Sequence, residues 1–239
     1  SLYGGLRVHG STFLVFSDYM RPAIRLSALM HQPVIYVLTH DSIWVGEDGP
    51  THQPIEHVEA LRIIPGVEVF RPADAEETKA AWAEVMRRTD GPGVLVLTRQ
   101  KLPVFAKDGC VFENVAKGGY VVKGKEVPDV VLIASGSEVS LALEAADILE
   151  NEGTKVRVVS VPCRERFMAQ DASYRAEVLG EAPRLFIEAG VGSGWAQLTR
   201  PGDKIMAIER FGASGPAEKV AEALGMTPSA AVEMAKTLL

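Results

Sequence analysis

Hydrophobic residues along the chain fall into short continuous runs that alternate with amphipathic segments. The two strongest runs, residues 34–38 and 130–134, consist of Val, Ile, Leu, Tyr and Ala. Strands that are buried on both faces have this composition, and they are typical of parallel sheets covered by helices. The pattern predicts strands at residues 12–16, 34–39, 67–70, 94–98, 130–134, 156–161, 185–188 and 205–208.

Amphipathic segments between these runs predict helices. Asp74 stands at the N-cap position of a predicted helix over residues 76–88. The apolar stripe of that helix comprises Ala80, Ala81, Trp82, Val85 and Met86. A second helix is predicted over residues 137–150, and Thr227-Pro228 opens the last one as N-cap and first residue. Alternating strands and helices predict doubly wound α/β domains with mostly parallel sheets.

The periodic pattern is lost between residues 101 and 117, where Pro103, Gly109 and mixed charges occur. We therefore expect a first domain over residues 1–105, a linker over residues 106–117 and a second domain over residues 118–239. The first domain has four predicted strands, which is few for a doubly wound unit. Part of that domain is expected to lie upstream of Ser1.

Composition narrows the function classes. The chain has 239 residues, 47% of them apolar and 23% charged, which is typical of a soluble protein with two domains. A net charge of −6 without a basic run argues against nucleic-acid binding. No apolar stretch approaches the roughly 20 residues that span a membrane. Cys110 and Cys163 lack metal or disulfide spacing, which favours free thiols and a cytoplasmic location.

The densest cluster of polar residues, here called the polar loop, comprises residues 39–54. It follows a buried strand, and open α/β sheets bind ligands at the carboxyl ends of their strands. The loop contains two imidazoles and three carboxylates, including His40, Asp48 and His52. This clustering favours a binding or catalytic site over an ordinary hydrogen-bonded surface loop.

Three aromatic residues precede the polar loop at intervals of three, namely Phe13, Phe16 and Tyr19. Their spacing fits either plain core packing or a pocket for a flat ring.

Two further segments carry polar groups at strand ends. Arg99 ends a predicted strand and fits either a sugar phosphate or a salt bridge to Glu47 or Asp41. The junction Ser135-Gly136-Ser137 fits an anion-binding nest or, as we favour, a tight turn with a Ser N-cap.

The polar loop also carries a family resemblance. Thr39-His40-Asp41-Ser42-Ile43, followed by Val45-Gly46-Glu47-Asp48-Gly49-Pro50-Thr51-His52-Gln53-Pro54, resembles the transketolase signature. Further segments agree in order: Ser11-Thr12-Phe13-Leu14, Arg71-Pro72-Ala73-Asp74, Thr98-Arg99-Gln100, Gly118-Gly119-Tyr120, Ser135-Gly136-Ser137-Glu138-Val139 and Arg210-Phe211-Gly212. The resemblance covers nearly the whole chain. It implies part of a thiamine-diphosphate pyrimidine-binding domain, followed from Gly118 by a transketolase C-terminal domain.

The resemblance also implies roles for individual residues. Phe13, Phe16 and Tyr19 match the aromatic residues that hold the aminopyrimidine ring of the cofactor. Four residues match substrate contacts: His40 and Arg99 near the substrate phosphate, Asp48 at the C2 hydroxyl of the donor, and His52, which would donate to the reacting carbonyl oxygen. His40 and His52 are accordingly the expected catalytic residues.

The implied reaction is the transfer of a two-carbon ketol unit between sugar phosphates in the pentose phosphate pathway. The implied cofactors are thiamine diphosphate, which acts as an electron sink, and Mg²⁺, and the implied assembly is a homodimer. The glutamate that activates the pyrimidine, and the domain that binds Mg²⁺ and the diphosphate, are expected upstream of Ser1. The chain alone is therefore expected to be an inactive fragment or, less readily, the product of a split gene.

Trp44 departs from the family pattern, in which glycine is most frequent, and it could narrow a substrate channel or pack outward. Dihydroxyacetone synthase shares nearly all of these motifs. Deoxyxylulose-phosphate synthase shares fewer, and Gln53-Pro54 after His52 favours transketolase over it. A non-catalytic α/β binding module is the alternative from a different class.

Overall fold

The computed structural model describes residues 1–124 and 127–239, which form two sheets. The first sheet has the order β1-β2-β4-β3, with β1 His9–Phe13, β2 Ile35–Thr39, β3 Glu68–Phe70 and β4 Gly93–Leu97. The second has the order β5-β7-β6-β8-β9, with β5 Tyr120–Lys123, β6 Val130–Ala134, β7 Val156–Ser160, β8 Arg184–Ile187 and β9 Lys204–Met206. Only the pairing of β5 with β7 is antiparallel among the described strands. The prediction of two mostly parallel α/β units is confirmed, and we call them the first and second unit.

Helices cover both sheets. Those of the first unit are α1 Ser17–Leu29, α2 His57–Arg62, α3 Ala75–Arg87 and α4 Val111–Lys117. Those of the second unit are α5 Glu138–Asn151, α6 Arg164–Met168, α7 Ala172–Leu179, α8 Ala217–Ala223 and α9 Pro228–Lys236. Across the described parts of the chain, every helix is too short or too polar to cross a bilayer.

The first strand lies three residues earlier than predicted. β1 pairs with β2 up to the partners Phe13 and Thr39, where β2 ends. Beyond that point the chain has no neighbouring strand, so Leu14–Phe16 form a 3-10 turn and Leu14 is fully buried beneath it. The predicted strand over residues 12–16 is therefore correct only in its first two residues, and of the run only Leu14 is buried.

Two of the predicted helix caps are present. Asp74 accepts a hydrogen bond from the backbone of Glu77 at 3.0 Å, and Thr227 accepts one from Ala230 at 3.2 Å. Ser137 occupies the N-cap position of α5 as predicted, but its side chain makes no capping bond, because its hydroxyl donates to Glu138 instead. Met86 was wrongly placed in the buried stripe of α3, since its side chain is exposed.

The segment predicted as a linker contains α4. This helix buries Val115 against the core of the first unit, beside Ala80 and Ala81 of α3. Regular structure therefore continues through residues 111–117, where the sequence showed no clear period.

The polar loop is anchored in the core of the second unit. Ile43 within the loop and Ile55 directly after it are buried in one hydrophobic cluster with Val139, Leu185 and Val220. The loop thus leaves the first sheet but packs on the second unit, so the two units share the structure that carries the candidate site.

Candidate functional site

The carboxyl edge of the first sheet brings three of the predicted site residues together. Phe13 is the last residue of β1, His40 follows β2 directly, and Arg99 lies two residues beyond β4. These strands are parallel neighbours, so their ends meet at the same edge. The rings of Phe13 and His40 stack with their centroids 3.7 Å apart.

The predicted aromatic residues form a row at this edge. The ring centroids of Phe13 and Phe16 lie 6.2 Å apart, those of Phe16 and Tyr19 6.3 Å. His52 meets Phe16 edge-on at 5.5 Å. Tyr19 is 85% exposed and the two phenylalanines are only half-buried, so these residues are not plain core. A row of rings with one side open fits a flat aromatic group packed against it.

His40 is held in a strained conformation in the middle of this cluster. Its φ of 60° lies in the left-handed region, which costs a non-glycine residue of the order of 1 kcal/mol or more. Its Nδ1 lies 3.0 Å from the Thr39 hydroxyl. Burial and then the positive charge of Arg99 lower the pKa of His40, while Asp48 and Asp41 oppose the shift. The imidazole is therefore predominantly neutral at neutral pH, with Arg99 and Asp48 within electrostatic reach.

Arg99 is exposed, and it forms no ion pair within residues 1–124 and 127–239. The alternative of a salt bridge from Arg99 to Asp41 is wrong, because Asp41 is buried and accepts a 2.8 Å hydrogen bond from Arg71. In the same described ranges Glu47 makes no ion pair either. The guanidinium of Arg99 therefore remains available to a ligand at the sheet edge.

Asp48 and His52 lie on one turn of the polar loop. Asp48 is exposed, and the backbone of His52 donates to Gly49 at 3.0 Å. The His52 Nδ1 atom lies 2.9 Å from the Thr51 hydroxyl. If that hydroxyl donates, the proton of the neutral ring is on Nε2, the nitrogen on the other side of the ring.

A buried ionic network beneath the site was not predicted. The Nε of Arg71 binds Asp41, and its Nη1 donates to Glu138 and, at 2.8 Å, to Glu188. Glu188 also accepts from Arg62 at 3.0 Å. Burial opposes the charge on Arg71, but Asp41, Glu138 and Glu188 outweigh it and raise the pKa of the guanidinium. The network joins both units and includes Asp41, the residue that follows His40.

The junction at Ser135-Gly136-Ser137 belongs to this network and is not an anion nest. The carbonyl of Ser135 accepts from Arg71 Nη1 at 2.9 Å. Gly136 has a φ of +58°, and a Cβ there would lie 2.8 Å from Arg71 Cγ. The junction therefore encloses a cation, and glycine is needed because the arginine side chain passes so close.

Trp44 lies away from the aromatic row. It packs against the core of the second unit and lines a groove with Lys101, Ser140 and Met226. Of the two interpretations considered from the sequence, packing outward from the site is the one observed.

Only weak signals in the sequence pointed to the residues of the buried network. Arg71 and Glu138 stand in segments that matched the family pattern, and Asp41 stands in the polar loop. Arg71 is separated from its three acid partners by 30 to 117 residues along the chain, however, so no local sequence pattern connects them.

Two family models match this chain. The transketolase pyrimidine-binding domain matches residues 1–104, and the transketolase-like TK C-terminal domain matches residues 118–227. The chain belongs to the transketolase family. The Geobacillus stearothermophilus transketolase is 53% identical over 244 residues, an alignment that covers 100% of this chain and 36% of that relative. The chain thus spans about a third of the length of the curated transketolases that it matches.

Solved transketolase structures share the fold. A Pichia stipitis transketolase in complex with sedoheptulose 7-phosphate superimposes with a TM-score of 0.91 at 41% identity, covering 96% of this chain and 33% of that one. A split-gene transketolase in an inactive β4 tetramer superimposes with a TM-score of 0.75 at 26% identity, covering 97% of this chain and 76% of that one.

Within the described residues, no three His, Cys, Asp or Glu side chains form a group that could hold a metal ion.

Proposed function

We propose that the complete product of the gene containing this sequence is a transketolase of the pentose phosphate pathway, which transfers a two-carbon ketol unit between sugar phosphates. One observation carries the proposal. In a chain of this family, Phe13 and His40 stack at a sheet edge, and Arg99 and Asp48 lie within electrostatic reach of the same imidazole. An aromatic surface, a cation, a carboxylate and, with His52, two imidazoles are among the groups that this reaction uses.

The aromatic row of Phe13, Phe16 and Tyr19 would hold the aminopyrimidine of thiamine diphosphate. The half-buried rings offer a flat apolar surface, and the exposed Tyr19 leaves one side of it open to a second surface. When bound, the cofactor supplies the electron sink for carbon–carbon bond cleavage and formation. We propose that Mg²⁺ and the diphosphate are held by residues outside this chain.

Arg99 and His40 would bind the substrate phosphate. A sugar phosphate is close to a dianion at neutral pH, and the planar guanidinium of Arg99 matches its oxygen geometry. His40 is mainly neutral without substrate, because burial and Arg99 lower its pKa. A phosphate dianion beside it would raise that pKa, so His40 could donate either as the neutral ring or after taking up a proton.

His52 and Asp48 would act on the sugar. With its proton on Nε2, His52 can donate to the oxygen that gains negative charge at the reacting carbon. A ketose donor has its carbonyl at C2 and therefore no C2 hydroxyl, which corrects the role that the resemblance implied for Asp48. The hydroxyl that Asp48 can read is at C2 of the aldose acceptor, which becomes C4 of the ketose product.

We further propose a homodimer, in which the partner subunit covers the apolar face of α1. Tyr19, Leu26 and Leu29 project from that helix, and all three are more than half exposed. Two free thiols, one exposed and one buried, support a cytoplasmic location for the protein.

The 239-residue chain by itself is proposed to be inactive. It spans 36% of the Geobacillus stearothermophilus enzyme, and the split-gene transketolase chain that it covers to 76% forms an inactive tetramer. The aromatic row provides only one side of a cofactor pocket.

The test is formation of sedoheptulose 7-phosphate from xylulose 5-phosphate and ribose 5-phosphate, with thiamine diphosphate and Mg²⁺. The complete gene product should form it, and the 239-residue chain should not. Efficient transfer to formaldehyde with little transfer to ribose 5-phosphate would identify a dihydroxyacetone synthase. A complete product that binds sugar phosphates but transfers nothing to either acceptor would contradict the proposal and favour a binding module.

A further inference from the structure

Gln53 is a buried residue of the polar loop whose side chain joins the two units. Its amide nitrogen donates to the carbonyl of Gly46 at 2.8 Å and to the carbonyl of Ala213 at 2.9 Å. Gly46 lies in the same loop, whereas Ala213 belongs to the segment before α8. A single amide group therefore both closes the loop on itself and attaches it to the second unit.

The chemistry of the two acceptors fixes the orientation of this amide. Only the nitrogen can face two carbonyl oxygens, because the reverse orientation would set oxygen against oxygen. The Oε1 atom of Gln53 is buried and has no donor among the residues that the structure describes. An unpaired buried acceptor lowers stability, and an apolar side chain would avoid that cost. The two donated bonds are therefore what this glutamine contributes.

The bond from Gln53 to Gly46 closes residues 46–53 into a hydrogen-bonded ring of backbone, which carries Asp48 and His52. Inside it, the backbone of Gly49 donates to Gly46 at 3.0 Å, and that of His52 donates to Gly49 at 3.0 Å. Among the described residues, the His52 side chain bonds only to Thr51 of the same ring, and the Asp48 side chain forms no hydrogen bond. In the part of the chain that the structure describes, no side-chain hydrogen bond to another element holds either residue, and the edge-on contact of His52 with Phe16 is not directional in the same way, so the separation of Asp48 and His52 depends mainly on ring closure.

We propose that Gln53 is a positioning residue, which sets the distance between Asp48 and His52 and so determines selection for the C2 hydroxyl of the acceptor. This inference rests on the proposed function. It also gives the second unit a part in specificity, because Ala213 accepts one of the two bonds that hold the ring.

Gly212 offers a way to disturb Gln53 from outside the polar loop. A Cβ at Gly212 would lie 1.7 Å from Gln53 Oε1, so Gly212→Ala must displace the amide. Gly215 provides the matched control in the same segment. A Cβ there would meet only Val220 Cγ2, at an ordinary contact distance of 3.6 Å.

The experiment compares two acceptors in the complete gene product, ribose 5-phosphate and 2-deoxyribose 5-phosphate. 2-Deoxyribose 5-phosphate lacks the hydroxyl that Asp48 would bind. A general loss of activity lowers kcat/KM for both acceptors, so a change in the ratio of the two values reports on the contact with that hydroxyl. Gln53→Met and Gly212→Ala should each lower the ratio about tenfold or more, since misplacement by about 1 Å can cost 10²-fold. Gly215→Ala should keep the wild-type ratio.

A purely structural role for Gln53 would lower both kcat/KM values equally, and an unchanged ratio in an active enzyme would overturn the inference alone. If Gln53→Met does not fold, the ratio in Gly212→Ala decides between the two results. A wild-type product without transferase activity would overturn the proposed function and this inference with it.

Discussion

At the scale of single residues, the candidate site depends on the electrostatic environment of His40. Burial and Arg99 both act against a positive charge on the ring, whereas Asp48 and Asp41 favour it. A histidine kept neutral without substrate can gain a proton when a dianion arrives, which couples phosphate binding to pH.

This environment predicts that the pKa of His40 changes when Arg99 is removed. Arg99→Ala removes a positive charge near His40, so the pKa of His40 should rise relative to wild type, as followed by NMR titration of its imidazole. In the wild type the charged form is disfavoured until the pH falls below the lowered pKa; in the variant the ring should protonate at a higher pH. Arg25→Ala removes another exposed arginine of the same unit and should leave the titration unchanged. Identical His40 titrations in wild type and Arg99→Ala would show that Arg99 does not act on this ring.

Sequence reasoning identified the candidate site residues but not the contacts that hold them. His40 and Arg99 could be placed at one sheet edge, because each follows a strand that the hydrophobic pattern revealed. The partner of Asp41 could not be predicted in the same way. Arg71 follows β3, a different strand. It bonds to Asp41 and not to water because both side chains are buried, and this burial exists only in the folded chain.

At the scale of elements, three consecutive pieces of backbone build the aromatic row. Phe13 ends β1, Phe16 ends the 3-10 turn, and Tyr19 lies in the first turn of α1. The sequence predicted that these residues bridge a strand and the following helix, but the turn at Leu14–Phe16 between them was not predicted. That turn occurs because β2 ends at Thr39, so the chain after Phe13 has no strand to pair with. The apolar run at residues 12–16 does not by itself show where its partner strand ends.

The aromatic row predicts that removing one of its rings weakens cofactor binding. In the complete gene product, Phe16→Ala should weaken binding of thiamine diphosphate, measured by calorimetry with Mg²⁺ present, because it removes the middle ring. Phe112→Ala is the matched control, since Phe112 is also partly buried but lies in α4 and packs against the cluster that contains Ala80 and Ala81, in another part of the first unit. Equal affinities in wild type and Phe16→Ala would mean that these rings serve packing and not the cofactor.

At the scale of the whole molecule, the two units are joined where the site is built. Arg71 and Arg62 of the first unit bind Glu188 of the second, and Tyr120 and Ser160 of the second unit donate to Glu77 of the first. Alternating strands and helices predicted two units, and the turn chemistry predicted two caps. The interface between the units could not be predicted, because its contacts join residues far apart in sequence and depend on how two finished sheets meet.

The central claim is that this sheet edge recognises sugar phosphates, and one comparison in the complete gene product tests it directly. Ribose 5-phosphate carries a phosphate and glycolaldehyde does not, so the two acceptors differ in the group that Arg99 would bind. A hydrogen bond to a charged group contributes about 1.5–3 kcal/mol, so Arg99→Ala should raise KM for ribose 5-phosphate about tenfold or more. It should barely change turnover of glycolaldehyde, and Arg25→Ala should change neither. An equal loss with both acceptors in Arg99→Ala would contradict the account, since it would show that Arg99 supports the fold and does not bind phosphate.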